Sequence, residues 1–137
     1  MQLLHEVRTS LLTLHRAVIA AERERFEREH GPTNAGGFLQ ALTTDPSLAW
    51  LKPMTQAVLE FDDLLDSKPA PTVGALDAGL SKVRDLLTPD EAGSSLGGEY
   101  SGVLDRSPDA SLAHAALMQD MAKAHEGLAQ QAKGNGS

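Results

Sequence analysis

A chain of 137 residues with 41% hydrophobic and 23% charged residues suits one globular domain and is too short for two ordinary ones. Aromatics make up only 4%, so the core must be built from Leu, Ala, Val and Met, which favours packed helices over a β-sandwich. The net charge of −7 leaves no basic face for nucleic acid, and the lack of cysteine excludes disulfides, thiolate nucleophiles and cysteine-ligated metals.

Residues 2–30 contain no Gly or Pro and are stopped by Gly31-Pro32, which predicts one long helix. Leu4, Val7, Leu11, Leu14, Val18 and Ala21 recur three and four apart, while Leu12, Ile19 and Phe26 form a second stripe. So wide an apolar face needs more than one partner helix. The run Glu22–Glu29 reads as a solvated, charge-laced face, with Glu24 and Arg28 at the favourable spacing of four. His30 is well placed to complement the helix C-terminus.

A glycine-containing loop comes next, then a short helix over about 37–43 whose start is weakened by Gly36-Gly37. Asp45-Pro46 predicts a new helix running to about Asp66, with Met54, Val58, Phe61 and Leu65 on its seam. Pro53 inside it predicts a kink or break near Trp50–Lys52. Glu60, Asp62, Asp63 and Asp66 read as a wet face. Two prolines mark residues 67–71 as a linker, and Thr72 can cap a helix whose seam is Val73, Leu76, Leu80, Val83 and Leu87. Gly74 and Gly79 weaken that helix by about 1 kcal/mol each, and a glycine there can mark a close helix contact.

Thr88-Pro89-Asp90-Glu91 is a capping box opening a helix cut short by Gly93, Gly97 and Gly98, with a segment around Glu99–Asp105 resuming it. Ser107-Pro108-Asp109 starts the last helix, whose seam carries His114, Leu117, Met121, Ala124 and Leu128. Disorder is expected from about residue 130. The expected domain is therefore 1–129 with a tail at 130–137. It is all-α, an antiparallel four-helix bundle with two additional short helices. The longest apolar run, Ala17 to Ala21, falls far below the roughly 20 residues that span a bilayer. Glu6 and Arg8 interrupt any signal-peptide core, so a cytoplasmic location without membrane contact is expected.

The second stripe of the first helix is broken by Arg8, His15 and Glu22, one heptad apart on an otherwise apolar line. Seven residues rise about 10.5 Å, so these side chains cannot pair with one another and must reach other helices. Such a polar ladder fixes register, lies at a wet boundary, or lines a pocket. A di-iron site would need two Glu-x-x-His pairs, and only Glu27 and His30 form one. Zinc would have to be assembled from His15, Glu22 and His114, with Glu60 able to join. No metal or cofactor is expected, because a lone histidine on a helix seam is usually satisfied by a neighbour.

No phosphate loop or nucleophile triad can be assembled either. The expectation is a non-enzymatic module that binds a protein partner or self-associates. The alternative is a bundle that binds a small molecule or metal through the polar residues of its first helix.

Leu14-His15-Arg16-Ala17-Val18-Ile19, then Ala21-Glu22-Arg23 and His30-Gly31-Pro32, resembles the opening of a small bacterial family of helical proteins with no assigned activity. Asp45-Pro46 with Ala49-Trp50-Leu51 and Pro53 is similar to that family's second block. The resemblance covers roughly residues 14–66 and departs at Asn34–Gly37 and in the glycine-rich stretch 93–98. It implies a bacterial, cytosolic, helical protein, and it implies no activity, cofactor or site residue.

Overall fold

The structure, a computed structural model, describes residues 2–88 and 97–136. It is all-helical: among the described residues there are six α-helices and one 3-10 turn, and no strand. The box at Thr88–Glu91 and the glycine at 93 fall largely outside the described residues.

Helix α1 spans Gln2–His30, and its first stripe is buried throughout, from Leu4 to Ala21. Leu12, Ile19 and Phe26 are partly buried against the same core. Gly31 ends the helix in the left-handed region at φ 91°, its N–H donating to Glu27 O at 2.8 Å. The charged run pairs differently from the expected Glu24 and Arg28. Arg25 takes Glu22 and Glu29, and Arg23 lies 3.6 Å from Glu27. Arg25 lies on the side of α1 facing α5, where a buried carboxylate competes for it.

Helix α2 covers Ala35–Thr44, starting two residues before the expected point. The Asn34 side chain accepts from Gly37 N at 2.7 Å and so caps a start that two glycines would otherwise weaken. Phe38 anchors α2, meeting Phe26 edge-on at 5.8 Å. Asp45 does act as a cap, accepting from Ser47 N at 2.9 Å, but it opens only the 3-10 turn Pro46–Leu48. Helix α3 then runs over Leu51–Leu65. A continuous helix would drive the Pro53 ring into the carbonyl of Ala49. Breaking at Ala49–Trp50 puts the proline in the first turn of α3, where no donor is needed.

Thr72 accepts from Ala75 N at 3.1 Å and starts α4, Val73–Leu87, which buries Leu76, Leu80, Val83 and Leu87. A methyl added at Gly79 would lie 2.5 Å from Leu64 Cδ2, so this glycine marks where α4 closes on α3. Helix α5 is Gly97–Arg106. Ser107 Oγ accepts from Ala110 N at 3.2 Å at the start of α6, Pro108–Gly136.

Helix α6 continues through residues 130–136, where the sequence predicts disorder. Gln130, Gln131, Ala132 and Lys133 are good helix formers, and two glycines at about 1 kcal/mol each do not outweigh a helix already propagating from Pro108. Leu128 is its last buried residue among the described side chains, and residues 129–132 are exposed.

Helix α1 packs on α6, α3 and α5, and α4 packs on α6 and α3. One apolar cluster fills the space between them. No described helix is long and apolar enough to cross a membrane.

Candidate functional site

The three polar positions on α1 are each taken up by a different partner. Arg8 donates to Asp62 Oδ1 on α3 at 3.1 Å, with Asp66 at 3.6 Å and His5 Nδ1 at 3.2 Å. The acids expected to form a wet face thus partly receive α1, and Glu60 takes Lys82 at 2.7 Å. Such partly exposed pairs contribute roughly 0–1 kcal/mol. His15 Nε2 shares a hydrogen bond with Thr55 Oγ1 on α3 at 2.9 Å. Burial pushes the His15 pKa below its ordinary value, so the ring is neutral at pH 7.

Glu22 is the one buried charged residue among the described side chains, with 2% of its surface exposed. Arg25 donates to its Oε2 from Nη2 at 2.8 Å and from Nε at 3.1 Å, and Arg106 on α5 donates to Oε1. Hydrogen bonding and attraction to Glu22 hold the Arg25 pKa above its usual value. Two arginines on one carboxylate offset its desolvation, which unpaired would cost several kcal/mol. An open cleft lies beside this group, walled by Trp50, Gly98, Glu99 and Gly102. Both guanidinium groups facing it are already bound to Glu22.

His114 does not join His15 or Glu22. Its Nδ1 lies 2.7 Å from the hydroxyl of Tyr100, which is 2% exposed. Burial pushes the Tyr100 pKa well up and the His114 pKa down, so a protonated phenol donates to a neutral ring. His15, Glu22 and His114 therefore have three separate sets of partners. No group of three or more His, Asp or Glu suited to a metal ion occurs among the described residues. The ladder's chemistry is spent on tying helices together: α1 to α3 twice, and α1 to α5 once.

Two further grooves lie away from the ladder, and the sequence pattern does not indicate them. One, of about 430 Å³, runs between α2, the 3-10 turn and α3, with Ile19 of α1 at its base. The other, of about 380 Å³, lies between α4 and α6 and is lined by Leu80, Met118 and Met121, with Arg84, His125 and Glu126 on its walls. A groove between helices leaves no signature in one helix's periodicity, because its walls are shared. Arg106, Tyr100 and Thr55 escape sequence reasoning for a related reason, being short-helix or boundary residues whose role comes from the element opposite. The only sequence signal is Glu22 itself, a lone acid on an apolar line that has to find a cation.

Comparison with family models, curated proteins and solved structures finds no match to this chain.

Proposed function

We propose that this chain is a non-enzymatic protein-interaction or self-association module of the bacterial cytoplasm. Its contact surface is the methionine-lined groove between α4 and α6. The observation that carries this reading is an open groove of about 380 Å³ between two helices, with the partly exposed Met118 beside a buried floor of Leu80 and Met121. Unbranched methionines repack easily around different shapes, which suits them to receiving the apolar face of another helix. The polar residues on α1, in contrast, are engaged within the fold, which leaves little for catalysis.

The supporting architecture is an antiparallel four-helix bundle of α1, α3, α4 and α6, with α2 and α5 as the additional short helices. Two helix pairs support this: Arg8 to Asp62 and His15 to Thr55 run in opposite directions between α1 and α3, and Lys82 to Glu60 with Gly79 against Leu64 do so between α4 and α3. His125 meets Asp77 between α6 and α4, and Ser10 meets Asp120 between α1 and α6. The net charge of −7 opposes a role on nucleic acid or an anionic bilayer.

The test is native mass spectrometry of protein purified from its own host, with Met118→Glu alongside. A dimer, or a stoichiometric protein partner, that is lost in the variant supports the reading. A strict monomer with no retained protein overturns it.

A further inference from the structure

The groove beside α2 lies among other helices than the methionine-lined one, and its walls divide into two chemical parts. Ile19, Leu39, Leu42, Leu48 and Leu51 supply an apolar bed from four different elements. Leu39 is 65% exposed at its edge, although α2 is otherwise anchored by Phe38. The polar part lies at the end of α2, where the Thr43 and Thr44 hydroxyls both donate to Gln40 O, and on α3, where Lys52 and Thr55 stand one turn apart on the groove's side. Thr55 is held from behind by His15 at 2.9 Å. Lys82 is paired with Glu60, whereas Lys52 has no carboxylate partner among the described residues.

The groove's own acid, Asp45, is turned elsewhere. Its Oδ1 accepts from Ser47 N at 2.9 Å and from Ser47 Oγ at 2.8 Å, and its Oδ2 lies 4.0 Å from His30.

From this division we propose that the groove binds a small amphipathic carboxylic acid, its apolar body on Ile19, Leu42 and Leu48 and its carboxylate at Lys52 and Thr55. The volume of about 430 Å³ lies within the range of roughly 300–1,000 Å³ usual for small-ligand sites. A largely apolar bed with a few placed polar groups is how such sites obtain both affinity and orientation. The single unpaired cation selects the sign: an acid gains an ion pair at the groove's edge, an amine meets repulsion, and a neutral alcohol gains only the apolar contact. A ligand with several charges would have to bury them against leucines, which disfavours phosphorylated or polyanionic compounds.

Calorimetric titration of the intact protein with decanoate below its micellar concentration tests this, with decanol and decyltrimethylammonium as comparisons. Two variants at exposed positions keep the result readable, because neither disturbs the core: Lys52→Glu reverses the charge, and Ala49→Trp fills the groove. The expected result is saturable binding of one decanoate per chain, weakened tenfold or more by Lys52→Glu and abolished by Ala49→Trp. Decanol binding survives Lys52→Glu, and the ammonium analogue binds more weakly than decanoate. Failure of decanoate to saturate, or saturation indifferent to both variants, overturns the proposal. So does binding of many molecules per chain, which is adventitious surfactant binding only. Met118→Glu leaves decanoate binding unchanged, so this site and the protein-binding groove succeed or fail separately.

Discussion

Arg106, the last residue of α5, reaches Oε1 of Glu22 on α1 and so anchors a short helix to a long one through the one buried charge described. Glu22 keeps Arg25 as a second cation from its own helix. The two partners are therefore not equivalent: Arg25 neutralises the carboxylate locally, and Arg106 adds the tertiary link.

That asymmetry makes the two ends of the pair respond differently. Arg106→Ala removes one charge-assisted bond while Arg25 still holds Glu22, so the expected loss is about 1–2 kcal/mol by urea denaturation. Glu22→Leu removes the buried charge itself, and both arginines can turn to water. Its expected loss is smaller, since apolar replacement of buried charges is often near neutral. Hydrogen exchange of α5 amides separates the outcomes, rising in Arg106→Ala more than in Glu22→Leu. The reverse order of stabilities would show that the carboxylate is itself the main stabiliser.

The two half-buried histidines set a pH dependence of known sign. Burial lowers the folded pKa of His15 and of His114 below 6.5, so the folded chain binds fewer protons than the unfolded chain as pH falls through that value. Their contribution to stability is complete above 6.5 and is lost progressively as pH drops from there toward the folded values. Denaturation midpoints measured across this window should fall with pH, and His15→Gln with His114→Gln together should flatten the slope. An unchanged slope in the double variant would place the titrating groups elsewhere.

Leu80→Asp tests the seam of α4. Leu80 is 2% exposed and packed in the common core, so the aspartate would be an unpaired charge among apolar side chains. The penalty is comparable with a whole domain's stability of about 5–15 kcal/mol, and the expected result is loss of the cooperative unfolding transition. Circular dichroism during a urea titration reads it directly. A cooperative transition in this variant would mean that α4 presents a different face to the core.

Two glycine substitutions should act in opposite directions. Gly31 has φ 91° with open space around its Cβ position, so Gly31→Ala costs backbone strain alone, about 1 kcal/mol. Gly102 lies inside α5, and a methyl there would meet only Arg106 Nη1 at 3.7 Å, an ordinary contact. Gly102→Ala should therefore stabilise by about 0.5–1 kcal/mol through helix propensity. Equal effects of both changes on the melting temperature would contradict the assigned backbone conformations.

Local chemistry made much of the fold legible. The Asp45, Thr72 and Ser107 caps, the stop at Gly31 and the apolar positions of α1, α4 and α6 arise from interactions within a few residues, which a sequence displays in full. Asn34 is the exception, because its cap outweighs two glycines that propensity alone would count against the helix. Pro53 announces a break, and the clash with Ala49 decides where it falls.

Periodicity on α1 also identifies Arg8, His15 and Glu22 as a line of polar side chains obliged to find partners on other helices. It cannot say which. Glu22 meets Arg106, 84 residues away, and His15 meets Thr55, 40 residues away. A helical repeat fixes the face a residue occupies, but it does not fix the rotation and register of the helix brought opposite. The same holds for the two grooves: each is space left between elements, set by how closely rods of unequal length and bulk can approach, and no single segment encodes it.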